Sequence, residues 1–164
     1  MSNLSGPLDA IDCRILTHLQ KDGRTANADL AAAVGLSPSP TWRRVKALEE
    51  SGVVKGYVAL LDARAVGLPV NVFMSVSLST QVESALARFE QAVSRRPEVM
   101  ECYLMTGDSD YLLRVVVPDI SAYERFVMDF TKIAGIAQIR SSFALRAVKQ
   151  GTALPLGHLV AGGA

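Results

Sequence analysis

Between residues 37 and 46 the chain places three cations, Arg43, Arg44 and Lys46, beside the hydroxyls of Ser37, Ser39 and Thr41 and the indole of Trp42, with no acid among them. Such a set suits a polyanion. A guanidinium grips phosphate or makes a bidentate contact to guanine, and hydroxyls at a helix start suit phosphate oxygens. A second stretch, TGDSD at 106–110, sets two carboxylates beside a glycine. Gly107 permits close backbone approach, so Asp108 and Asp110 can receive the ammonium group of a small zwitterion while free amides take its carboxylate. The same residues are also what a tight turn selects for backbone reasons, and a D-x-D pair is too small a donor set for a calcium loop.

Other chemistry is poorly supplied. Cys13 and Cys102 are far apart without CxxC spacing, and His18 and His158 are the only histidines, so no zinc site or activated nucleophile is readable. Buried thiols are the simpler reading, and we expect no cofactor and no enzyme. The formal net charge of +1 argues against a protein that coats nucleic acid, because that style of binding needs a large basic excess. Residues 1–62 carry seven basic and seven acidic groups, so positive charge is focused on the 37–46 stretch. No window approaches the roughly 18 apolar residues needed to cross a bilayer. The start MSNLSGPLDAID lacks the regions of a signal peptide. We therefore expect a cytoplasmic protein with no membrane partner.

The elements that must hold these groups follow from periodicity. Leu8, Ile11, Ile15, Leu16 and Leu19 recur at helical spacing over 9–21, and ADLAAAV gives a short second helix with Asn27 as its cap and Gly35 as its stop. Pro38 and Pro40 mark the start of a third helix, capped by Ser37 or, with less restriction before proline, by Ser39. Thr41, Val45 and Leu48 then share its inner side, Ser39, Arg43 and Lys46 point outward, and Trp42 and Arg44 lie on the border. Three such helices make a helix-turn-helix unit whose last helix can enter a major groove. Residues 53–69 read as a short strand or hairpin running into a linker.

From residue 70 the pattern changes to strand, helix, strand, strand, helix, strand, which is the ferredoxin-like βαββαβ order of an α+β chain. Val70 to Leu78 alternate, a helix spans 82–96, strands follow at 99–106 and from Tyr111 to Pro118, a helix capped by Asp119 or Ser121 comes next, and a last strand runs 139–148. The expected division is 1–62 for the helical domain, 63–69 for the linker, 70–150 for the sheet domain and 151–164 for a tail mobile beyond 155. Helices on one side of a four-stranded sheet leave the other face, holding residues such as Phe73 and Phe143 or their alternates, to be covered by a second copy. Such a homodimer presents two helices to half-sites about 34 Å apart.

Three segments in order, LDAIDCRILTHLQKDGR, GLSPSPTWRRVKALEESGVVKGYVALLD and ECYLMTGDSDYLLRVVVPDISAYERF, make residues 8–150 resemble the Lrp/AsnC family of transcription regulators. The resemblance implies a winged or helix-turn-helix domain on double-stranded DNA and an amino-acid-sensing ferredoxin-like domain, in dimers that assemble to octamers. It implies that the reading helix is Ser37 to Leu48. It also carries the effector site onto Gly107, Asp108, Asp110 and Tyr111, joined by Met105, Thr106, Gln138 and Ser141. Thr41 and Trp42 stand where relatives often have cysteine or another apolar residue, and Ile139 to Ser142 where many have threonines, so the bases read and the preferred amino acid do not transfer. The alternative is an architectural protein that wraps DNA with little effector control.

Overall fold

The computed structural model describes residues 8–161, which form two compact units: residues up to 60 together with those from 149 onward, and residues 61–148. In the helical unit, α1 (Ala10–Leu19), α2 (Asn27–Val34) and α3 (Pro38–Glu50) surround a small core of Ile15, Leu16, Leu30, Val34 and Leu48. A reciprocal capping box starts α1: Asp9 accepts from the Ile11 and Asp12 amides while Asp12 accepts from the Asp9 amide. Gly35, at φ 73°, ends α2 in the left-handed conformation expected of it.

Several local expectations change. Asn27 is the first residue of α2 and not its cap, which is Ala26; its side-chain amide donates instead to the Pro38 carbonyl (2.9 Å) and ties α2 to the start of α3. Of the two registers for α3, the structure adopts Ser37 before Pro38, with Ser37 extended at ψ 159° as a residue preceding proline prefers. Residues 53–60 form no strand or hairpin. Tyr57 instead packs over Gly23, where a Cβ would come within 2.8 Å of its ring, and its hydroxyl donates to Glu49 (3.1 Å). The segment after Lys149 returns to the helical unit and carries a short α6 (Gly157–Ala161).

Arg44 of α3 donates to both Asp9 (2.7 Å) and Asp12 (2.8 Å), clamping α3 to the start of α1. The Asp12 amide first, and then the Arg44 guanidinium, hold the Asp9 carboxyl below its ordinary range against a penalty from burial. A carboxyl with a lowered folded-state value stabilises above its unfolded pKa, and the contribution disappears as pH falls through the folded value. The helical unit should therefore melt earlier below roughly pH 4. An Arg44→Met variant should show a weaker acid dependence; thermal melts in a pH series, with identical profiles for the two proteins, would remove this role of Arg44.

The second unit is the expected α+β arrangement: β1 (Val70–Leu78), α4 (Glu83–Ser94), β2 (Val99–Leu104), β3 (Tyr111–Val117), α5 (Ile120–Phe130) and β4 (Ile136–Phe143). The sheet is antiparallel in the order β2-β3-β1-β4. Val72, Met74, Val76 and Leu78 of β1 and Tyr111, Leu113, Val115 and Val117 of β3 are buried with Phe89, Val93, Tyr123, Phe126 and Phe130 of the helices. Strand β4 stops at Phe143 and not at 148; the last bond joins the Ala144 amide to the Asn71 carbonyl.

Residues of opposite alternation face away from the helices. On β1 and β3 these are Phe73, Ser75, Leu112, Arg114 and Val116, with Arg114 donating to Glu101 of β2 (2.9 Å). Phe73 is 40% exposed there. Phe143 does not share that face with Phe73, one of the arrangements expected: it lies opposite Val72, and its ring meets Tyr123 edge-on at 5.1 Å on the helix side.

Candidate functional site

Along α3 the exposed side carries Ser37, Ser39, Trp42, Arg43 and Lys46. Trp42 is 54% exposed, a large apolar surface beside the cations. Arg43 has no ion-pair partner among the described residues, whereas Lys46 shares its charge with Glu49 (3.0 Å). Thr41 is different. It is fully buried, and its hydroxyl donates to the Ser37 carbonyl (3.0 Å), so it belongs to the core of the unit and is removed from the surface set. Arg44 is likewise engaged, by Asp9 and Asp12, which makes it a clamp within the unit.

The helix start is also a poorer anion site than its position suggests. Pro38 and Pro40 lack amide hydrogens and the Thr41 amide bonds the Ser37 carbonyl, so among the described residues Ser37 and Ser39 supply the two free amides of the helix start. Phosphate affinity there rests on hydroxyls and on the side chains of Arg43 and Lys46. The Asp9 and Asp12 contacts to Arg44 were missed in sequence, although the D-x-x-D spacing before an apolar run is a capping-box signal.

In the sheet unit, residues 105–110 join β2 to β3 at the end of the sheet where β1 finishes and β4 begins. The loop is pinned at its base: the Met105 amide donates to the Asp110 carbonyl (2.8 Å) and the Asp110 amide to Val76 (3.0 Å). Both carboxylate oxygens of Asp110 are occupied, one by the Leu78 amide (2.7 Å) and one by the Gln81 side chain (2.6 Å). Asp110 therefore anchors the loop. Gln81, which the sequence reading did not select, completes that anchor.

Above the base, Met105, Thr106, Gly107 and Asp108 are exposed, and Gly107 has φ 118°, a conformation that a side chain would strain. Among the described residues, the amides of 106–109 have no hydrogen-bond partner and the Asp108 carboxylate has no ion pair. Gln138 is exposed opposite Ser77 on the open face and accepts a long bond from Arg140 (3.4 Å). Two expected members lie elsewhere. Tyr111 is buried on the helix side with its hydroxyl on Glu90 (2.8 Å), and burial followed by that bond raises its pKa. Ser141, opposite Met74, accepts from the Tyr123 hydroxyl (2.5 Å) on the same side. Alternation decides both: each sits in register with a core residue.

Of the two thiols expected to be buried, Cys13 is buried and Cys102 is exposed; partial desolvation of its sulfur, and then the charge of Glu90, push the Cys102 thiol up to about 11, so it stays protonated near neutrality.

Residues 8–55 match the winged helix-turn-helix DNA-binding family model and residues 71–154 match the Lrp/AsnC ligand binding domain. A helix-turn-helix reader followed by a ligand-binding sheet unit defines a DNA-binding transcription regulator that responds to a small molecule. The chain belongs to the Lrp/AsnC family. It is similar to the Bkd operon transcriptional regulator of Pseudomonas aeruginosa, 49% identical over 150 residues that span 91% of this chain and 98% of the relative. To the leucine-responsive regulatory protein of Escherichia coli it is 39% identical over 90% of each chain. Among solved structures, a transcriptional regulator from Neisseria meningitidis in complex with L-methionine superimposes with a TM-score of 0.89 at 41% identity, over 93% of this chain and 99% of that one. An AsnC family regulator from Agrobacterium tumefaciens gives the same TM-score at 46% identity and the same coverage. These relatives are transcription regulators. Among the described residues, no helix is long and apolar enough to cross a membrane.

Proposed function

We propose that the effector is a small amino acid held by the 105–108 loop, and that its binding alters the grip of α3 on DNA through an assembly of identical chains. The observation that carries this reading is the row of four amides at 106–109 without a partner among the described residues, next in sequence to the Asp108 carboxylate, which has no ion pair among them. Consecutive amides form an anion-binding concavity, and a lone carboxylate suits an ammonium group, so together they match both ends of a zwitterion. Relatives from Neisseria meningitidis and Mycobacterium tuberculosis are known in complex with L-methionine, which supports the chemical class. Met105, Thr106, Gly107, Asp108 and Gln138 are the effector residues in this reading, while Asp110 positions the loop.

The effector lies between two ferredoxin-like units, whose open faces cover one another. Phe73, Leu112 and Val116 supply apolar surface for that contact. Residues 55–61 add an extended stretch without backbone hydrogen bonds among the described residues, suited to pairing with a second copy. Dimers assemble further, to octamers. Sedimentation at micromolar concentration should show no stable monomer. In a thermal-shift screen of the twenty amino acids, a binder at 100 times its Kd should stabilise the chain by about 2.7 kcal/mol. Asp108→Ala should abolish that shift. A screen in which no amino acid moves the transition overturns the effector assignment.

A further inference from the structure

The segment that sequence patterning leaves as a tail is attached to the helical unit by specific contacts. The Gln20 side chain pairs with the backbone of Leu154 in both directions, donating to its carbonyl (3.3 Å) and accepting from its amide (2.6 Å). Leu156 packs against the core around Leu16, and α6 lies along α1. Leu154 and Leu156 close one side of an apolar cleft of about 380 Å³ whose other walls include Leu8, Leu19 and Val54. Between the last sheet bond, at Ala144, and this attachment, residues 145–153 make no hydrogen bonds among the described residues.

The attachment matters because the core beneath it is thin. Domains of about 60 residues bury too little surface to be more than marginally stable. Here a leucine and two amide bonds come from a hundred and more positions further along the chain. Residues 145–153 are the covalent path from the end of β4 to this attachment on α1. The same α1 carries Asp12, which holds Arg44 of α3.

We propose that residues 149–161 are a strap through which the last strand of the sheet unit sets the stability of the helical unit, and hence its grip on DNA. With the strap docked, α1 and residues 53–57 are stiffened and α3 is held for binding; with it undocked they loosen. This inference rests on α3 being the DNA-reading helix.

The test compares the full chain with a Gln20→Ala variant and with a chain ending at Gln150. Amide hydrogen exchange in α1 and 53–57 should be about tenfold faster in the shortened chain and intermediate in Gln20→Ala, with β1 and β3 unchanged. Affinity for a duplex selected on the wild-type protein should fall by about fivefold or more in the shortened chain. Unchanged exchange overturns the docking role, and faster exchange with unchanged affinity overturns the coupling. A wild-type chain that binds no duplex strikes the role of α3 and the coupling together, while its exchange pattern still judges the docking.

Discussion

Replacing Arg43 and Lys46 together by alanine should weaken duplex-DNA binding by roughly a hundredfold or more, since each lost contact is worth about 1–3 kcal/mol. Both side chains are exposed, and neither supports the core of the helical unit. Lys46 gives up its surface pair with Glu49, which at such a site contributes at most about 0.5 kcal/mol. The melting temperature should hardly move. If the two residues meet phosphates, the dependence of binding on salt should also flatten, by about two in the slope of log K against log salt. Thr41→Val is the contrasting control, because a buried hydroxyl bonded to its own helix reads no base. Fluorescence anisotropy over a salt series measures both variants. Loss of sequence preference on Thr41→Val, with none on Arg43 and Lys46, would reverse the roles drawn from burial.

The second large effect is expected at Asp110. Alanine there leaves the Leu78 amide and the Gln81 side chain without their acceptor, and bonds to a charged group are worth about 1.5–3 kcal/mol each. The 105–110 loop loses its anchor to β1. The sheet unit should melt earlier, and any amino acid that stabilises the wild-type chain should no longer do so. DNA affinity without that amino acid should stay within about twofold, since sites in separate units act additively. Asp110→Asn keeps one oxygen acceptor and should be intermediate. Calorimetric titration together with melting curves separates the outcomes. An Asp110→Ala chain that binds the amino acid as the wild type does would show that the loop holds its shape without this carboxylate.

How much of this was legible in sequence depends on how local the deciding interaction is. Val70 to Leu78 could be read as a strand with one buried face because alternation is written into neighbouring residues. The helix-turn-helix followed from three amphipathic stretches and Gly35 for the same reason. Arg44 could not be told from Arg43 by periodicity, because its partners Asp9 and Asp12 lie more than thirty positions away. Thr41 was placed on the inner side of its helix and also offered to DNA; burial allows only the first. Tyr111 and Ser141 sit next to the effector loop and the last strand's open-face residues, yet each is turned to the helices by a one-residue step in the pleat. The docking of 154–156 was invisible, since a Pro- and Gly-containing apolar stretch resembles any loose end until its groove is known.

The division of the chain has a consequence during its synthesis. The helical unit draws on residues up to 60 and from 149, with the whole sheet unit encoded between them. At about 5–20 residues per second a ribosome needs on the order of 4–18 s to cross that interval. A nascent chain thus presents its three helices, unfinished, while the sheet is still being translated. Completion of the DNA-reading half is tied to residues 149–161, so newly made molecules acquire a finished reader only once the sensor has already been made.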